Sequence, residues 1–282
     1  MKTKTVLAAA LTATLGYCAS AHAVLVDLFD DPLANGVNTV TDNNPTVGSV
    51  AFQEYPGPSD PPSTSILGGY RDLVADLIGS NGVGTPAATL EVGGGGLSFS
   101  TTSGDTGIGK VQWDGKDNSA TLNTTGLQTA GVGVDLINQT GCPAEGCNAF
   151  IATVLVADLG FEYQIGLYTD ASNYSILTAN TLFEVTTPTS ADYFFEWFTR
   201  SSGAYFDAGL PFTITKVGSG PTLTNIGAIE LVVNSNGATT AVDLALTSIE
   251  KGRIPEPNVL ALMGIGLLGA GLTGRRKARK VS

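Results

Sequence analysis

Two short apolar segments, one near each end, most constrain this chain, because each is suited to a membrane. The C-terminal segment runs from Val259 to Leu272 and is followed by five basic residues: Arg275, Arg276, Lys277, Arg279 and Lys280. With its flanking residues it predicts a helix over 258–274. At a rise of ~1.5 Å per residue the apolar run would span about 21 Å, less than the roughly 30 Å of a hydrocarbon core. The pattern therefore predicts a short transmembrane anchor with a basic membrane-stop cluster over 275–280.

The N-terminal segment predicts export. Lys2 and Lys4 precede an apolar stretch from Val6 to Leu15, and Ala21-His22-Ala23 forms an A-x-A cleavage site. We expect signal peptidase to cleave after Ala23. Basic residues stand outside both apolar segments, so the positive-inside rule places residues 24–253 on the far side of the membrane.

Pro255-Glu256-Pro257 stands just before the C-terminal apolar segment. The order of Pro-Glu-Pro, a segment rich in Leu, Gly and Ala, and a basic end resembles the PEP-CTERM tail of Gram-negative surface proteins. The resemblance covers residues 254–282. It implies an inner-membrane precursor that exosortase, a membrane transpeptidase, processes near the Pro-Glu-Pro sorting motif, and a product at the cell surface or outside the cell. A rigid turn before an ordinary tail anchor is the alternative.

The body between the two segments, residues 24–253, is strongly acidic. It holds 24 acidic and 7 basic residues, a formal charge of −17. This balance argues against a nucleic-acid partner, since a phosphate backbone needs a basic face. The length suits one large domain, and we find no Pro-rich or charged linker that would divide it.

The sequence pattern of the body predicts an all-β domain. Turn signals such as Asn81-Gly82 and Asn236-Gly237 punctuate it. Thr240 to Ile249 alternates apolar and polar residues with the period of two typical of a half-buried strand. Similar runs cover Leu73–Ile78, Leu97–Thr101, Ile108–Trp113, Val132–Ile137, Phe150–Val156, Phe161–Tyr168, Phe212–Val217 and Ile226–Val233. Nine or more strands predict a single two-sheet β-sandwich of jelly-roll or lectin-like type. Ala191–Phe198 fits either a buried strand or a short helix.

The numbers and positions of cysteine and histidine limit the catalytic and metal-binding functions that the mature chain could have. Only Cys142 and Cys147 remain once the signal peptide is removed, and a pair this close in an exported chain predicts a disulfide. The one histidine, His22, lies in the signal peptide. The mature chain therefore cannot form a Ser-His or Cys-His nucleophile pair or a His-ligated metal site, and we expect no enzyme. A carboxylate-based polysaccharide-degrading enzyme is the open alternative.

A few residues of the body are candidates for ligand binding. No cofactor is expected, although the acidic stretches Asp27–Asp31 and Asp114–Asn118 could ligate Ca²⁺, which prefers carboxylate and backbone oxygens. Solvated turns are the alternative for both stretches. Trp113 ends an apolar strand at an Asp-Gly turn, which indicates a rim position. Together with Tyr70 it is a candidate platform for stacking on a sugar ring.

These patterns predict an exported, non-enzymatic surface or extracellular-matrix protein, associated with exopolysaccharide and handled by signal peptidase and exosortase. A carbohydrate-binding module is the alternative, and it would show a glycan affinity that depends on Trp113. Arg71 and Asp72 adjoin in a predicted strand, so their side chains should point to opposite faces. We expect Arg71 to pair with a carboxylate elsewhere, in a structural role.

Overall fold

A computed structural model of the protein describes residues 24–30, 37–46, 48–57, 59–139, 142, 146–158, 160–182 and 184–254. The predicted signal peptide, the Pro-Glu-Pro motif, the apolar segment 258–274 and the basic cluster 275–280 lie outside these residues. Within the described part, no helix combines the length and the apolar character needed to span a membrane.

The described residues form two antiparallel sheets and almost no helix. In chain order the strands are β1 Val24–Asp27, β2 Val37–Asp42, β3 Ala51–Tyr55, β4 Arg71–Gly79, β5 Ala88–Gly93, β6 Gly96–Thr101, β7 Thr106–Trp113, β8 Ala149–Ala157, β9 Glu162–Asp170, β10 Asn173–Asn180, β11 Thr189–Phe194, β12 Gly203–Asp207, β13 Leu210–Val217, β14 Ala228–Val233 and β15 Asp243–Gly252. A 3-10 turn at Leu67–Gly69 and a single helical turn, α1 (Phe195–Thr199), interrupt them. The predicted all-β sandwich is confirmed.

Six strands of the seven-stranded sheet have the order β11-β8-β15-β6-β5-β2, and the seventh, β1, pairs with β15. The eight-stranded sheet has the order β12-β13-β10-β9-β14-β7-β4-β3. Along one side, β15 pairs with β8. Along the other side it pairs first with β6 and then, from Ile249 to Lys251, with β1. The last strand is therefore an interior strand held on both sides, which fixes the end of the sandwich from which the chain leaves.

The core lies between the inner faces of the two sheets. Alternate residues of each strand enter it, as the period of two requires. Fully buried members from the two sheets include Leu73, Leu77, Val111, Leu167 and Val233 on one side and Leu90, Phe99, Phe150, Leu97 and Val92 on the other. Between β5 and β6, Gly94 and Gly95 form a two-residue hairpin with φ of 63° and 80°, a conformation that favours glycine at both positions.

The segments 132–137 and 191–198 form local structure that the sequence pattern did not fully predict. The run Val132–Ile137 is not a strand: Val134 and Leu136 donate to carbonyls of the 223–226 segment, and Asp135 Oδ1 accepts the backbone N–H of Ile137 at 2.8 Å and so ends the extended run. The ambiguous stretch Ala191–Phe198 contains both predicted alternatives, because β11 ends at Phe194 and α1 begins at Phe195. A hydrophobic run alone carries no signal for where such a switch occurs.

Candidate functional site

Strand register brings polar side chains together on the outer face of the eight-stranded sheet. Glu54 on β3 lies opposite Asp72 on β4, and Asp72 lies opposite Gln112 on β7. Residues that pair directly on antiparallel strands project to the same face, and Asp114, two residues beyond Gln112, projects there as well. The neighbours of Asp72 along β4 project into the core instead. Three adjacent strands thus place carboxylates from distant parts of the sequence side by side.

The chain that follows β7 folds back over these side chains. Glu54 Oε2 accepts the backbone N–H groups of Asp117 and Asn118, both at 2.7 Å. Asp114 Oδ2 accepts a backbone N–H from the same connection at 2.7 Å. Carboxylate oxygens of Glu54, Asp72 and Asp117 lie within 4.8 Å of one another. We call Glu54, Asp72, Asp114 and Asp117 the acidic cluster.

Five buried oxygens in this region accept no N–H hydrogen bond from the described residues. They are Glu54 Oε1, Asp72 Oδ1, Asp72 Oδ2, Gln112 Oε1 and Asp114 Oδ1. Asp72 and Asp114 are 0% exposed and Glu54 is 4% exposed. A buried acceptor without a donor costs about 1–3 kcal/mol, and more when it is charged. The sandwich therefore gathers carboxyl groups that the described N–H donors satisfy only in part, and Asp72 and Asp114 hydrogen-bond to each other.

Burial and mutual repulsion raise pKa values within the acidic cluster. The pKa of Asp72 rises to about 9, because of its burial first and then the carboxylates of Asp114 and Glu54. Burial also raises the pKa of Asp114 to about 6, although a backbone N–H that bonds its carboxylate opposes the change. The pKa of Asp117 is raised mainly by burial. Without a neighbouring cation, such carboxylates hold protons in preference to several adjacent charges.

On the opposite face of β4, Arg71 forms an ion pair with Asp27 in the core. Arg71 Nη1 lies 2.7 Å from Asp27 Oδ1, and both side chains are fully buried. Asp27 also accepts hydrogen bonds from Trp113 Nε1 at 2.9 Å and from the backbone N–H of Phe29 at 2.8 Å. The predicted opposite orientation of Arg71 and Asp72, and the carboxylate partner of Arg71, are thereby confirmed.

The two stretches considered for calcium differ in the structure. In Asp27–Asp31, Asp27 directs both oxygens to core donors, and Asp31 lies outside the described residues. In Asp114–Asn118, two carboxylates join the acidic cluster. Glu54 and Asp72 were not predicted as ligands from the sequence. The available signal was the charged residue Asp72 within the largely apolar strand β4, which also contains Arg71 and Asp76, but the partners of Asp72 depend on strand order.

The predicted glycan contacts, Trp113 and Tyr70, are both buried. Trp113 is 1% exposed, and its indole N–H bonds to Asp27. Tyr70 is 8% exposed, its hydroxyl donates to the carbonyl of Asp60 at 3.3 Å, and Lys116 Nζ lies 5.4 Å from its ring centroid. Neither ring presents a free face to a sugar. The rim position predicted for Trp113 is wrong, because the alternation of β7 directs its ring to the core face.

The predicted disulfide is present. Cys142 and Cys147 are joined, with their Cα atoms 5.2 Å apart. The segment leading to this disulfide also contacts the last strand: Lys251 Nζ donates to the carbonyl of Asp135 at 3.2 Å and to Gln139 Oε1. Burial lowers the pKa of Lys251 to about 8, although Asp135 opposes that change. The loop therefore packs on the end of β15.

The chain leaves the sandwich under local restraint. Asn148 Oδ1 accepts the backbone N–H of Ile254 at 2.7 Å, and Asn148 Nδ2 donates to the carbonyl of Ile254 at 2.8 Å. This pair of bonds copies the pattern of a strand neighbour. Residues up to Ile254 are thus held against the sandwich, immediately before Pro255.

A cavity of about 460 Å³ lies between the two sheets. Its walls are largely apolar and include Phe150, Val154, Ile165 and Leu231, with the rings of Tyr163 and Tyr193 in edge-to-face contact at 6.0 Å. A sugar ring needs polar partners for its hydroxyl groups; the lining includes some, among them Asn180, Asp192 and Glu230, within a mostly apolar surface. The cavity suits an apolar group better than a pyranose.

These features define a class: an acidic, disulfide-containing antiparallel β-sandwich whose last strand continues directly into a separate C-terminal segment. In that segment, residues 253–277 match the PEP-CTERM protein-sorting motif. No curated protein matches the chain. The motif identifies an exported protein with a membrane-anchored precursor that exosortase processes. The match begins at Arg253, immediately after β15 ends, so it bears on sorting and not on the role of the sandwich.

Proposed function

We propose that this chain is a non-enzymatic component of the cell surface or extracellular matrix, where its sandwich is associated with exopolysaccharide. The observation that carries the proposal is the direct junction between the sandwich and the sorting motif. Strand β15 ends at Gly252, and the motif match begins at Arg253. Because no spacer separates them, processing near the motif delivers the sandwich itself, with little else attached.

Two features support a role without catalysis. The chain has one histidine, His22, which precedes the body, so the nucleophile pairs of common hydrolases cannot form there. The acidic cluster, the densest group of carboxylates with raised pKa values in the described residues, has Asp72 and Asp114 fully buried. A glycosidase needs its two carboxylates on either side of a bound sugar, in an open cleft.

Sorting is tested by replacing Pro255-Glu256-Pro257 with three alanines in the full chain and following the protein in inner-membrane, surface and medium fractions. We expect the variant to accumulate unprocessed in the inner membrane. The matched control replaces Ser59-Asp60-Pro61, an exposed triplet that also contains one acid and proline, and should be processed normally. Processing of the first variant at the parental rate would show that the tail is a plain anchor.

Association with polysaccharide is tested separately on the processed protein. Exopolysaccharide isolated from the producing cells should co-sediment with the parental protein without release of new reducing ends. Release of reducing ends would establish an enzyme and refute the non-enzymatic role. A carbohydrate-binding module would show saturable affinity for a defined glycan. Because Trp113 and Tyr70 are buried, substitutions at these residues would not test for such a glycan site.

A further inference from the structure

We propose that the acidic cluster is a binding site for a hard divalent cation, with calcium the preferred ion. Glu54, Asp72 and Asp117 supply one carboxylate oxygen each within 4.8 Å of one another. Two ligands of the same calcium ion lie at most about 5 Å apart, because each metal–oxygen distance is about 2.3–2.6 Å. The spacing of the three oxygens therefore fits a single ion between them.

Asp72 is the observation that separates this cluster from an ordinary acidic surface. Its side chain is fully buried, and among the described residues neither of its oxygens meets an N–H donor; its hydrogen-bonded neighbour is another acid, Asp114. A folded protein normally satisfies such a group with a donor, an ion pair or a metal. The adjacent basic residue, Arg71, points to the other face and bonds to Asp27. A cation bound beside Asp72 would balance the negative charge of these neighbouring carboxylates.

The neighbouring oxygens enlarge the ligand set. Among the described residues, no N–H group donates to the buried oxygens Glu54 Oε1, Gln112 Oε1 and Asp114 Oδ1. Glu54 and Asp114 each use their other oxygen to hold the backbone of the connection after β7. Each of these carboxylates is therefore oriented through the oxygen that accepts these backbone N–H groups. Asp117 lies on the solvent side and gives the ion a route of entry.

The donor set favours calcium over the other common divalent ions. Every candidate ligand is a carboxylate or amide oxygen, which suits hard cations and not zinc, whose protein ligands are mainly Cys and His. Magnesium demands near-ideal octahedral geometry and usually retains several waters. Calcium accepts six to eight oxygens in irregular arrangements and mixes carboxylate with amide ligands. The dense, irregular set around Asp72 matches that preference.

The test uses protein purified from expression of the full chain, treated with EDTA and dialysed. Calcium chloride is titrated calorimetrically, and thermal unfolding is recorded with calcium chloride or with magnesium chloride at the same ionic strength. A site with Kd on the order of 10⁻⁴ M, as in extracellular calcium modules, predicts a rise in the unfolding midpoint of about 5 °C at a hundredfold excess over Kd. Magnesium should produce less than half of this shift.

Variants distinguish a site from general screening. Asp72→Asn and Asp117→Asn should each weaken calcium binding at least tenfold and abolish the thermal shift. Asp117→Asn retains a side-chain oxygen for the backbone N–H of Ser119, so its fold is preserved. Glu91→Gln, on β5 of the other sheet, is the matched control and should bind as the parent does.

Three results would overturn the assignment. One is the absence of calorimetric binding and of a calcium-specific thermal shift in the parental protein. Another is an undiminished shift in both Asp72→Asn and Asp117→Asn. The third is an equal loss in Glu91→Gln, which would mean that calcium acts on the overall negative charge. None of these outcomes depends on how the tail is sorted. The calcium site is therefore tested independently of the proposed function.

Discussion

Replacing Asp72 with asparagine should stabilise the cation-free protein, and increasingly so as the pH rises. Asparagine keeps the shape of the side chain and removes its charge. Its amide group can donate to Glu54 Oε1 and Asp114 Oδ1, which accept no N–H from the described residues, and it can do so at every pH, whereas Asp72 can donate only while it holds its proton. The substitution thus removes a buried carboxylate and supplies a donor at the same position.

The pH dependence follows from the raised pKa. Asp72 keeps its proton in the folded protein up to about pH 9, whereas the unfolded chain releases it near 3.8. Between these values the folded state binds more protons, so the free energy of unfolding falls as the pH rises. The contribution of this group is complete below the unfolded pKa and is lost as the pH passes the folded pKa. Above the pKa of Asp114, about 6, the slope belongs mainly to Asp72.

One proton corresponds to at most about 1.4 kcal/mol per pH unit. Between about pH 6.5 and about pH 8.5, the free energy of unfolding of Asp72→Asn should therefore rise relative to that of the parent by up to about 3 kcal/mol. Screening by water near Asp117 reduces this figure. Urea unfolding in EDTA at four pH values measures it, and Glu91→Gln is again the control. If the curves of Asp72→Asn and the parent run parallel over this range, Asp72 titrates normally and the electrostatic account of the cluster is wrong.

Other parts of the sandwich give further predictions. Arg71→Ala leaves Asp27 buried without its cation and should lower the unfolding free energy by about 3–5 kcal/mol in denaturant titrations; a loss under about 1 kcal/mol would contradict the ion pair. Cys142→Ser should cost about 2 kcal/mol, the amount expected for a loop this small, and thiol quantification of the parent under non-reducing conditions should find Cys142 and Cys147 oxidised. Asn148→Ala removes two hydrogen bonds to the chain ahead of the sorting motif and should speed amide exchange at the end of β15, whereas unchanged exchange would mean that these bonds do not hold the exit.

The sequence by itself predicted the export and sorting of this protein, its secondary-structure class and its disulfide. Each is a local property: an A-x-A site after an apolar run, Pro-Glu-Pro before another, alternation with a period of two, and two cysteines close in the chain. The opposite orientation of Arg71 and Asp72 was predictable for the same reason, since adjacent residues in a strand face opposite ways. None of these predictions depends on which strands are neighbours in the sheets.

Only the tertiary structure decided what those side chains meet. Glu54, Asp72 and Asp114 come together because β3, β4 and β7 are adjacent and in a particular register. Alternation shows that a residue faces one side or the other, but it does not say which side is the core, and this is why Trp113 was misplaced. A shift of one residue in register would move each side chain to the other face. The contacts of the acidic cluster therefore depend on pairings between distant segments, which no local pattern encodes.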